Sequence, residues 1–142
     1  MIAANNPVQK PTPKAFPYET KPPFILSLKE IIAQNKKYEA RRDVVCEGLK
    51  RIGWAVEKPR ASMFVWARVP EEHSRGKGSI DFAMDLMEHA EVSIAPGRAF
   101  GEMGEHHMRI ALVENEQRLR QAMRNISRYV NQKPIRKSKT GV

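Results

Sequence analysis

Two short links constrain this chain more than any other feature. Residues 58–60 join the apolar run Trp54–Glu57 to a second run, Ser62–Val69, and residues 96–106 join Val92–Ala95 to His107–Val113. Parallel neighbours need a crossover of a dozen or more residues, usually a helix, and neither link can hold one. The strand candidates on either side of each link are therefore expected to run antiparallel. Helical patterns fill the remaining spaces, so the order reads helix, strand, strand, helix, strand, strand, helix. The expected fold is α+β: a small antiparallel or mixed sheet with helices on one face and a long N-terminal helix.

The helical patterns are explicit. Leu28, Ile31, Tyr38, Val45, Leu49 and Ile52 recur at three-and-four spacing, interrupted by Asn35 and Arg42, and Gly53 supplies the stop. That helix runs either as one piece or as two joined near Gln34-Asn35. A second pattern begins with Ser79 as its expected N-cap and has Ala83, Leu86, Met87 and Ala90 inside. Asn115 is the expected cap of a third, with Leu119, Ala122, Met123, Ile126 and Val130 inside. Residues 71–78 read as a polar loop. Residues 1–23 contain six of the ten prolines, which biases them toward an extended arm, and residues 133–142 form a basic tail. The expected organisation is an arm over 1–23, a folded domain over 24–132 and a tail over 133–142.

Charge matters only once it is located. The formal net charge is +9, of which residues 1–23 contribute +2 and residues 133–142 contribute +4. The intervening segment has 18 basic and 15 acidic residues. A nucleic-acid footprint would need a basic face or stripe on the folded part, and this distribution argues against one. The single Cys46 excludes an internal disulfide and reads as a small buried hydrophobe on a helix. No apolar run approaches the length of a membrane span or a signal peptide. The expected setting is cytoplasmic, away from membranes.

One charge stands inside a strand pattern. In His107-Met108-Arg109-Ile110-Ala111-Leu112-Val113, alternation puts Met108, Ile110 and Leu112 on one face. Arg109 shares the other face with His107 and Ala111. A guanidinium on a half-buried strand calls for an anionic partner. That partner is either a structural carboxylate, such as Glu57 or Asp81, or the carboxylate of a ligand.

Other signals are weaker. His106 and His107 are adjacent on a strand and point to opposite faces, so they cannot chelate one ion, and no metal is expected. Phe64, Trp66 and Arg68 share a strand face, an arrangement some RNA modules use for stacking. The expected role of Phe64 and Trp66 is core or interdomain packing, because the glycine-rich basic motif of such modules is absent. Pro96-Gly97-Arg98-Ala99-Phe100-Gly101 is either a connecting turn or a loop brought close to a ligand by its glycines.

These segments together resemble the pyridoxal-phosphate-dependent aminotransferases of class I/II. The resemblance runs through Lys36-Lys37-Tyr38-Glu39-Ala40-Arg41-Arg42-Asp43, Gly48-Leu49 and Gly53-Trp54, then Lys58-Pro59-Arg60-Ala61-Ser62-Met63-Phe64-Val65-Trp66-Ala67. It continues through Pro96–Gly101, Met108–Leu112 and Glu114-Asn115-Glu116-Gln117-Arg118, covering about residues 30–130 in one order. Within the family it is most similar to the alanine (glutamate–pyruvate) transaminases, then to the diaminopimelate aminotransferases. It matches only the C-terminal, small domain of such enzymes.

The resemblance implies that Arg109 binds the substrate α-carboxylate and that Gly97, Phe100 and Gly101 lie on a substrate-proximal loop. It implies amino-group transfer between an amino acid and a 2-oxo acid, with pyridoxal 5'-phosphate as the parent enzyme's cofactor. The cofactor lysine, the aspartate at the pyridine nitrogen and the phosphate cup belong to the family's large domain. Lys29, in Ser27-Leu28-Lys29, lacks the context of the family lysine. This chain alone is thus expected to bind no cofactor and to be inactive without that large domain, which would be its natural partner. An uncovered apolar surface is expected to make it a homo-oligomer or marginally stable. Two alternatives stand beside this reading: a stand-alone α+β module binding nucleic acid or an acidic partner, and a structural protein retaining only the domain's interface.

Overall fold

The computed structural model describes residues 27–132; the expected arm over 1–23 and tail over 133–142 lie outside the described residues. The chain begins with a single unbroken helix, α1 (Leu28–Arg51), opened by a capping box in which Ser27 and Glu30 satisfy each other's backbone N–H groups. It ends in a Schellman turn. Gly53 (φ 76°) sends the chain back, its N–H donating to the Lys50 carbonyl, while the Trp54 N–H donates to the Leu49 carbonyl at 3.0 Å.

That turn explains the first departure from expectation. Trp54–Glu57 forms no strand, because the turn drives Trp54 directly into the core. Its ring meets Phe82 edge-on at 6.0 Å. The sheet instead begins with β1 (Phe64–Arg68). The short α2 (Glu71–Ser74) follows inside the segment expected to be loop, then α3 (Ser79–Ala90). The chain continues through β2 (Ala95–Pro96), two 3-10 turns (Gly97–Phe100 and Glu102–Gly104), β3 (His107–Ala111) and α4 (Glu116–Asn131). Of the expected Val92–Ala95 strand only Ala95 pairs, together with Pro96 beyond it, while Ile94 just before them is buried in the core.

The sheet order is β1-β3-β2, with both neighbours antiparallel to β3. The expected α+β fold, a small antiparallel sheet with helices on one face, is the one observed. Val65 and Ala67 from β1 and Met108 and Ile110 from β3 point to the helices, where they join Leu49, Trp54, Phe82, Leu86, Leu112 and Ile126 in one core. Among the described residues no helix covers the other face of the sheet, which is left to Phe64, Trp66, Arg68, His107, Arg109 and Ala111.

Two expectations for α3, its cap and its inner face, are corrected. Gly78, not Ser79, is the N-cap of α3. Ser79 is buried as the first helical residue, its N–H donating to both the backbone carbonyl (2.9 Å) and the carboxylate (3.0 Å) of Glu105. Helix α3 is thus capped by a distant residue, which local sequence does not reveal. Its inner face is Phe82, Ala83, Leu86 and Ala90, while Met87 is 49% exposed. Asn115 caps α4 as expected, accepting from the Arg118 N–H at 2.9 Å.

Candidate functional site

Arg109 sits at the centre of the sheet's uncovered face, on the middle strand. Trp66 lies directly across from it on β1 and Ala95 across from it on β2. Its guanidinium carbon lies 4.3 Å from the centroid of the Phe64 ring and 4.1 Å from that of Phe100. Among the described residues no carboxylate pairs with it; neither Glu57 nor Asp81 forms an ion pair with it. Its Nε is buried and makes no hydrogen bond. An arginine fixed in place with its charge unspent is a ready receptor for an anion.

The surrounding face is aromatic. The Trp66 and His107 rings stack with centroids 5.2 Å apart and planes 13° from parallel. Trp66 also meets Phe100 edge-on at 6.1 Å. Burial lowers the pKa of His107, reinforced by the neighbouring Arg68 and His106, which favours the neutral imidazole. Its Nδ1 is a second buried polar atom with no partner on this face.

Phe100 reaches Arg109 because its loop is held at both ends. The Arg98 N–H donates to the Ser79 hydroxyl at 3.1 Å, and the Arg98 guanidinium pairs with Glu102 and Glu105, each at 3.6 Å. Gly97 and Gly104 pack backbone against backbone. A Cβ on Gly97 would strike the Gly104 carbonyl and would come within 2.6 Å of the His107 carbonyl. Both positions therefore require glycine because of close approach rather than dihedral freedom. Gly101 (φ 126°) turns the chain between the two 3-10 segments.

Of the four residues expected at a site, the structure thus brings Arg109 and Phe100 into contact. Gly97 and Gly101 shape the loop that carries Phe100. Of the two roles expected for Phe64 and Trp66, core or interdomain packing, the first is corrected: neither belongs to the core of the described domain. Trp66 is 45% exposed and Phe64 half-buried, because Val65 and Ala67 take the inner face of β1. Sequence reasoning did not connect these two aromatics to Arg109. The signal available was the alternation within both strands, which leaves each on a face common with Arg109 once the pairing register is known.

The model for class I and II aminotransferases matches residues 20–126. The chain belongs to this aminotransferase family. Glutamate-pyruvate aminotransferase AlaC of Escherichia coli (strain K12) is 48% identical over 91 residues, covering 64% of this chain and 22% of that protein. Putative aminotransferase AatC of Rhizobium meliloti (strain 1021) is 49% identical over 94 residues, covering 66% of this chain and 23% of that one. Among solved structures, an aromatic aminotransferase from Pyrococcus horikoshii OT3 superposes with a TM-score of 0.66 at 29% identity, over 70% of this chain and 26% of that chain. This aminotransferase chain therefore spans less than a quarter of the length of the curated relatives it matches.

Class I/II aminotransferases use pyridoxal phosphate, which needs a lysine amine to form its covalent link. The described aminotransferase residues do not fit that requirement at the Arg109 face. Strands β1 and β3 and the loop 97–104 carry no lysine. Lys58 and Lys77 are tied to Asp43 and Asp85, and the other described lysines lie along α1. What the face offers is an anion receptor walled by aromatic rings.

Proposed function

We propose that this chain is the C-terminal small domain of a class I/II aminotransferase, spanning about residues 24–132, and that Arg109 binds the α-carboxylate of the amino acid and 2-oxo acid between which the amino group moves. One observation supports this most: Arg109 lies on the uncovered sheet face with no carboxylate of the described chain paired to it. A planar carboxylate can accept two parallel hydrogen bonds from such a guanidinium, which fixes the substrate's α-carbon relative to the domain. Phe100 and its loop, Gly97–Gly101, form the wall beside that position. The chain's own contribution is to bind and orient; no amine on this face can accept the cofactor, so catalysis requires residues beyond those described.

A chimera tests this. Residues 24–132 are placed after the large domain of Escherichia coli AlaC, in exchange for that enzyme's own C-terminal segment. The chimera is expected to transaminate L-alanine with 2-oxoglutarate, and Arg109→Ala is expected to weaken α-carboxylate recognition by about 2–5 kcal/mol, read in kcat/KM. A chimera that folds, binds cofactor and is indifferent to Arg109→Ala would remove the proposed role.

The same face raises a second reading, single-stranded nucleic acid stacked on Trp66 beside the exposed Arg68. The rings speak against it. Phe64 and Phe100 are engaged by Arg109, and one side of Trp66 is covered by His107. No set of free aromatic faces remains for successive bases.

A further inference from the structure

We infer that Phe64 and Phe100 are positioning residues that hold the Arg109 guanidinium ready for its carboxylate, in place of the protein carboxylate that ordinarily fixes a half-buried arginine. This rests on the reading of Arg109 as a carboxylate anchor and extends it to the residues that set its geometry.

An arginine side chain has many rotamers to lose when it is ordered. Within a protein that cost is usually met by an ion pair, but a paired carboxylate would then compete with the ligand for the same donors. Aromatic rings avoid the conflict, since their π faces attract the cation without accepting hydrogen bonds in the guanidinium plane. Here both rings lie within 4.3 Å of the guanidinium carbon. The two acids on the neighbouring loop, Glu102 and Glu105, are both engaged by Arg98, and Glu105 also accepts from the Ser79 N–H. The charge of Arg109 is thereby left to a ligand.

The two rings come from different parts of the fold. Phe64 stands on β1, diagonal to Arg109 across the strand pair. Phe100 comes from the 3-10 turn Gly97–Phe100, which the Gly97–Gly104 backbone contact and the Arg98–Ser79 hydrogen bond lock in place. Trp66, edge-on to Phe100, buttresses the second ring. One of the two rings at the guanidinium thus comes from the sheet and the other from the loop.

The test uses the full chain in solution with pyruvate as the probe. The Nε–Hε resonance of Arg109 is expected to carry a ring-current shift, to exchange slowly with solvent and to move on titration with millimolar pyruvate. Phe100→Leu and Phe64→Leu should each reduce the ring-current shift and weaken pyruvate binding about fivefold, while Phe100→Tyr restores both. The folded state is checked by the amide spectrum, and Phe100→Leu, in an exposed loop, keeps the test valid should Phe64→Leu unfold. If pyruvate binds and neither leucine variant alters the Nε resonance or the affinity, the positioning role is overturned while the anchor reading stands. If pyruvate leaves the wild-type resonance unmoved but the leucine variants abolish its ring-current shift, the clamp stands and the anchor reading fails.

Discussion

Arg109 has a large surface of contact but no ionic debt inside the described domain. Its neighbours are rings, and a cation over an exposed or half-exposed ring contributes about 0.5–1 kcal/mol. Arg109→Ala is therefore expected to change the stability of the chain by about 1 kcal/mol or less in urea denaturation, with no change in the slope of the transition. A loss of several kcal/mol would reveal a buried ionic partner and make the residue a scaffold element. Strand alternation alone was enough to place Arg109 opposite Met108, Ile110 and Leu112. The same logic could not orient β1, because Phe64, Val65, Trp66 and Ala67 are all apolar and either face could be the inner one. The pairing of Trp66 with Arg109 depends on register, which is a property of two strands and not of either sequence by itself.

The helices show where periodicity is informative and where it fails. Spacing located the start of α1, and Gly53 and Asn115, which act on their own neighbours, located the end of α1 and the start of α4; the Ser27 capping box emerged only in the structure. Spacing did not separate the two halves of α1. Val45, Cys46 and Leu49 are buried, whereas Leu28 is 73% exposed and Ile31 and Ile32 are also exposed. Three-and-four spacing runs through both halves with polar interruptions in each, at Asn35 and Arg42, and nothing in it says where the packing partner ends. The seam between α3 and α4 makes a pH prediction. Burial raises the Asp85 pKa, but hydrogen bonds from Lys77 and from the Tyr129 hydroxyl (2.8 Å) outweigh it and hold the carboxyl below its ordinary value. Tyr129 is pushed up to about 12 by burial first and by Asp85 second. A depressed carboxyl gives stability present above its unfolded pKa, so that contribution is lost as pH falls below about 4. A raised phenol gives stability that is complete below about pH 10 and lost as pH rises toward 12. Urea midpoints measured across pH should therefore decline at both ends. Asp85→Asn should flatten the acid limb and Tyr129→Phe the alkaline one; unchanged profiles in both variants would mean the seam is not coupled to folding.

At the scale of the molecule, the sheet has one covered face and one open face, and apolar side chains also stand in water elsewhere. Leu28, Ile31 and Ile32 line the first turns of α1, and Ile80, Met84 and Met87 share one flank of α3. No helix among the described residues is long and apolar enough to cross a membrane. Concentration-dependent association is expected in sedimentation velocity over about 5–200 µM, together with binding of an apolar dye. A single sedimenting species across that range that binds no dye would show that these side chains are too dispersed to act as one patch.

Cys46 is the chain's one cysteine, and it lies where the packed half of α1 begins. Burial raises its pKa, so in the native state the sulfur is both hidden and poorly ionised. The protein therefore carries a built-in clock for the lifting of α1 from the core. A disulfide reagent such as Ellman's can react only during an opening, and the native labelling rate divided by that of the urea-unfolded chain gives the fraction of time the helix is undocked. Repeated in the presence of pyruvate, the same ratio tells whether filling the open sheet face tightens the opposite side of the molecule, with no mutation introduced to ask the question.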